Sequence, residues 1–119
     1  MDIKIKTFLD EQDNSYQGFM VGKLYNNTIY YDEENINVAI LLESDKITLS
    51  RETNEYKLEL VFSSKEPTKG LYIIKELNKM IDLEIDTKLL INKNNLIEVK
   101  YLINTKENES YFRLEYEVL

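Results

Sequence analysis

Along most of the chain every second residue is apolar and its neighbours are polar, the period a half-buried β-strand imposes because successive side chains leave opposite faces. Three stretches show it most clearly. Tyr56, Leu58, Leu60 and Phe62 alternate with Lys57 and Glu59; Ile81, Leu83 and Ile85 with Asp82, Glu84 and Asp86; Phe112, Leu114, Tyr116 and Val118 with Arg113, Glu115 and Glu117. The same pattern, less regular, covers residues 3–9, 16–24, 28–31, 36–42, 46–51 and 96–103. Between these stretches lie Asp13-Asn14, Asn26-Asn27, Ser44-Asp45, Thr53-Asn54, Asn92-Lys93-Asn94-Asn95 and Lys106-Glu107-Asn108, residues that accept tight or left-handed backbone. Their spacing of roughly 8 to 15 residues predicts a meander of antiparallel hairpins.

Residues 73–81 carry two periods at once. Ile73, Ile74, Leu77, Met80 and Ile81 have helical spacing, with Glu76 and Lys79 on the opposite face. The alternative is a strand over residues 71–76, a turn around Asn78 and direct continuation into the alternating stretch 81–87. The strand reading is taken here, with one short helix as the alternative. Nine or ten such strands make too wide a sheet to stay flat and open, since twist accumulates and unpaired edges recruit other chains. The expected fold is therefore all-β, an antiparallel meander closed or nearly closed into a barrel of about eight to ten strands. With one proline and three glycines, no stretch has the composition of a flexible linker, and residues 1–119 read as a single domain.

Composition narrows the chemistry. The chain has no cysteine and no histidine, which removes thiolate metal sites, cysteine nucleophiles, and the commonest general base and transition-metal ligand. No metal or cofactor is expected, and no catalytic constellation emerges. Net charge is −7, and residues 1–60 hold 6 basic against 12 acidic side chains. A phosphate backbone is held by clustered lysine and arginine, so nucleic acid is not an expected partner. Charge alternating with apolar residues at the start of the chain argues against an export signal. No apolar run approaches the roughly 20 residues of a spanning helix, so a cytoplasmic protein without membrane contact is expected.

Two places could hold a ligand. Arg51 shares the parity of Ile47 and Leu49 and so points toward the core side, where a charge requires a partner. It would either meet a carboxylate or other anion at the barrel mouth or be tied to an aromatic ring or loop carbonyls. Tyr30-Tyr31-Asp32-Glu33-Glu34 sets two aromatics before three carboxylates. Neighbouring carboxylates on one strand face opposite ways, and no glycine is near to shape a calcium loop, so this run reads as a solvated loop. Tyr101 shares the parity of Val99, a wall or core position with its hydroxyl free to reach a polar group. Tyr30, Tyr31, Glu33, Arg51 and Tyr101 are the candidate ligand-binding residues.

The order of elements resembles the YwiB-like bacterial proteins, an uncharacterised group with a calycin-like β-barrel. The resemblance rests on Gly18-Phe19 or Gly22 opening a strand, Tyr30 to Glu34, the strand Ile47-Thr48-Leu49-Ser50-Arg51, Phe62, Thr87, and the pair Ile97-Glu98-Val99-Lys100-Tyr101 and Phe112-Arg113-Leu114-Glu115-Tyr116. The chain departs from the family in having Glu52-Thr53-Asn54 where a glycine usually follows the strand-ending arginine. It also has Leu77-Asn78-Lys79 where a Thr/Gly turn is usual. The resemblance implies a barrel and no particular activity. Three functions are open at this point: a non-catalytic barrel binding a small apolar or amphipathic ligand in its interior, a protein-interaction module with a side-chain-filled barrel, and a hydrolase or lyase using Arg51 with Glu33 or Glu34. An interior cavity of roughly 300 Å³ or more would favour the first and a packed interior the second.

Overall fold

The computed structural model describes residues 1–9, 20–104 and 108–119. These form ten strands: β1 (Asp2–Leu9), β2 (Met20–Tyr25), β3 (Thr28–Glu33), β4 (Ile36–Leu42), β5 (Lys46–Glu52), β6 (Tyr56–Ser63), β7 (Thr68–Ile74), β8 (Lys79–Lys93), β9 (Leu96–Ile103) and β10 (Ser110–Val118). Each pairs antiparallel with the next, and β10 returns to β1, from Ile3↔Val118 to Leu9↔Phe112, closing the barrel. No helix occurs among the described residues, and none is long and apolar enough to cross a membrane. The expected turn at Asp13-Asn14, the first part of the 16–24 stretch, Gly18-Phe19 and Lys106-Glu107 lie outside the described residues.

Asparagine makes the hairpins tight. Asn26 and Asn27 (φ 51° and 60°) join β2 to β3, and Asn94 and Asn95 (φ 54° and 61°) join β8 to β9. Left-handed backbone at both central positions gives a turn whose twist matches that of the flanking strands, and asparagine tolerates it better than most side chains. Between β7 and β8, where Ile74 pairs with Lys79, the turn is four residues long and Asn78 (φ 49°) is its one left-handed residue. Residues 73–81 are thus two strands and a turn. Their helical spacing misleads because Leu77 and Met80 are exposed, at 67% and 63%. Between β5 and β6 the Thr53 hydroxyl accepts hydrogen bonds from the Glu55 and Tyr56 amides, at 3.0 and 3.2 Å.

Strand β8 is longer than its alternation suggests. Thr87 pairs with Tyr101 and Leu89 with Lys100, so Lys88 is an extra residue and the parity inverts there. Ile81, Leu83 and Ile85 face inward before the bulge, Leu90 after it, and a reading that stops at residue 87 stops where the phase changes. The bulge lets β8 pair with β7 through its first half and with β9 through its second.

The interior is filled. Ile3, Ile5, Ile29, Ile40, Ile47, Leu60, Phe62, Ile85, Ile97, Val99 and Leu114 are all essentially inaccessible. Phe62 and Tyr101 pack ring to ring across this space, with centroids 4.7 Å apart.

Candidate functional site

The inward face changes character toward one end of the barrel. On β3 the inward series Ile29, Tyr31, Glu33 passes from aliphatic to aromatic to charged, and on β5 the series Ile47, Leu49, Arg51 ends in a cation. Arg51 and Tyr31 are both opposite Val38 of β4, which places them in one row of the sheet. Glu33 lies one inward step further along β3. The Arg51 Nη2 donates to Glu33 Oε2 at 3.2 Å, bridging over β4, with the side chains 25% and 26% exposed. Leu58 and Tyr72 continue the row on β6 and β7. Tyr56 stands one step beyond and meets Tyr72 edge to face at 5.8 Å.

Electrostatics tie the end together. Burial pushes the Tyr31 hydroxyl well above the usual phenol range, Glu33 pushes it further, and Arg51 partly offsets both. Burial also raises Tyr101, against a hydrogen bond with Ser110 and the same Arg51 cation. Both phenols are neutral in the fold. Because their folded values are raised, their contribution to stability is fully present below the unfolded value of about 10 and is lost as pH rises through the folded value. Melting temperature is expected to fall as pH climbs above about 10, and Tyr31→Phe to make that fall shallower. Melting curves at pH 7 to 11 test this; identical slopes for the two proteins would contradict it.

Three of the five candidate residues, Tyr31, Glu33 and Arg51, therefore lie together at one end of the interior, while Tyr101 packs its ring on Phe62, in the deeper Ile47 row, and feels the charge of Arg51. Tyr30 faces outward, 46% exposed. The run Tyr30 to Glu34 is not a solvated loop, because β3 extends to Glu33 and pairs it with Ile36. Only Glu34 lies in the turn, exposed and at φ 55°. The three carboxylates thus diverge, with Asp32 outside, Glu33 inside and Glu34 on the turn, so Arg51 meets Glu33 and not Glu34. Sequence reading missed Tyr72 as a member of this end. Its available signal was its parity with Gly70, which was hidden by the apolar run Leu71-Tyr72-Ile73-Ile74.

No protein-family model matches the chain, and no curated protein matches it. A solved structure does. The ywiB protein from Bacillus subtilis, known from a crystal structure, aligns with a TM-score of 0.63 over 98% of this chain and 89% of its own. Sequence identity is 13%, so the likeness is one of fold. It spans the whole barrel, in line with the order of elements that suggested the YwiB-like group.

Proposed function

We propose that this domain is a non-catalytic, calycin-like binding barrel that takes a small amphipathic molecule at the Arg51 end. The observation that carries this reading is the contrast along the interior. Most of it is sealed aliphatic packing, while the Arg51 end offers an ion pair and half-buried tyrosines. The packed interior does not favour the expected ligand site inside the barrel, so the site proposed is at the mouth. Small-molecule sites typically combine such an apolar lining with a few placed polar groups. Arg51 makes one hydrogen bond to Glu33, and a guanidinium offers further N–H groups that a carboxylate or sulfonate takes in bidentate fashion. The ring of Tyr72 would flank the apolar body of the ligand. An apolar interior under a charged outer face is the inverse of a membrane barrel and supports a protein that works in water.

The test uses 8-anilino-1-naphthalenesulfonate, an aromatic anion, as the probe. Arg51→Ala is expected to weaken its binding at least about fivefold, and to lower stability by only about 1–2 kcal/mol, because a pair a quarter exposed is worth less than a buried one. Unchanged binding by a variant shown to be folded would overturn the proposal. A stability loss of about 4 kcal/mol would mark Arg51 as a purely structural strut.

A further inference from the structure

The outer face carries a second surface. Across β2 to β5, one row of outward positions runs Lys23, Tyr30, Ala39, Ser50. The small side chains of Ala39 and Ser50 beside the Tyr30 ring leave a groove of about 570 Å³, walled also by Val21, which is 61% exposed. A second groove, again about 570 Å³, adjoins it and shares Asp32 and Asn37 with it, then continues past Glu34 to Glu55. The two form one track with an apolar half and an acidic half.

Charge decides what suits it. Lys23 is tied to Asp2 at 2.9 Å and Glu52 to Lys75 at 2.8 Å. Asp32, Glu34 and Glu55 make no ion pair among the described residues, so the uncompensated charge along the track is negative. We propose that this track, from Val21 and Tyr30 through Asp32 to Glu34, docks a cationic, partly apolar segment of a partner protein. An aliphatic or aromatic side chain of that segment packs on Tyr30 and Val21, and a lysine or arginine next to it pairs with Asp32. Tyr30 and Asp32 face outward, away from the Glu33–Arg51 pair, while Tyr31 also lines the first groove and Tyr56 the second, so the track borders the Arg51 end; its docking role stands whether or not that end binds a ligand.

The experiment titrates the ¹⁵N-labelled full chain with a short peptide of alternating lysine and leucine, and with its glutamate–leucine counterpart. The cationic peptide is expected to shift the amides of Val21, Tyr30, Asp32 and Asn37, and the anionic one to leave them in place. Asp32→Asn and Tyr30→Ala should each weaken binding at least about fivefold, while Glu117→Gln, the same charge change on β10, should stay within about twofold. Equal losses for Asp32→Asn and Glu117→Gln would show diffuse charge attraction and overturn the proposal. Indifference to Tyr30→Ala, or shifts centred on Arg51 and Tyr101, would do the same.

Discussion

Phe62→Ala is expected to cost about 3–5 kcal/mol and to lower the melting temperature by more than about 10 °C. Phe62 is 1% exposed, pairs with Ile47 across the β5–β6 ladder, and packs on Tyr101 from inside. Truncation removes the transfer free energy of the ring and leaves a cavity that a closed barrel cannot readily collapse, because every wall strand is held by two neighbours. Phe62→Leu, which refills most of the volume, should recover more than half of the loss. Thermal or urea denaturation followed by circular dichroism checks both, and a loss below about 1 kcal/mol for alanine would mean that the interior is not packed as described.

Gly22→Ala comes second. A glycine in a strand is ordinarily a weak point, and alanine there would stabilise by about 0.5–1 kcal/mol through lower unfolded-state entropy. At Gly22 the sign reverses. A Cβ would lie 2.5 Å from the Tyr30 carbonyl oxygen and 2.6 Å from Ile5 Cδ1, and the first of these is backbone that cannot step aside. The expected result is destabilisation by about 1–3 kcal/mol, with an upper end that includes failure to express folded protein. Gly70→Ala meets the Glu59 carbonyl oxygen at 2.7 Å and should behave in the same way. A neutral or stabilising outcome at both positions would show that β2 and β7 sit further from their neighbours than the structure places them.

The sequence made much of this barrel legible, for a simple reason. Interior positions are apolar and exterior ones charged, so alternation survives in strands such as β6 and β10 and marks them directly. It fails where phase or boundary is set by pairing. The extra residue at Lys88 inverts the parity of β8, leaving Leu89-Leu90-Ile91 without alternation. Leu77 in the turn and Met80 on the outer face of β8 imitate a helix because exposed apolar residues carry no label of exposure. Glu33 sits in a strand although its neighbours Asp32 and Glu34 suggest a wet loop, since its partner Ile36 is visible only once the register is known. Arg51 shows the same limit within the candidate site. Its inward parity was readable from Ile47 and Leu49, whereas its bond to Glu33 depends on β3 and β5 flanking β4 in a register that no local pattern encodes.

Under the proposed function, a small amphipathic molecule is received at the Arg51 end of an otherwise filled barrel. The most direct measurement is a titration of the ¹⁵N-labelled protein with 8-anilino-1-naphthalenesulfonate, following every backbone amide. Shifts are expected to concentrate on Tyr31, Glu33, Arg51, Tyr72 and Tyr101, and to be largely abolished in Arg51→Ala. Shifts confined to Val21, Tyr30 and Ala39 on the outer face, or spread evenly over the barrel, would contradict it.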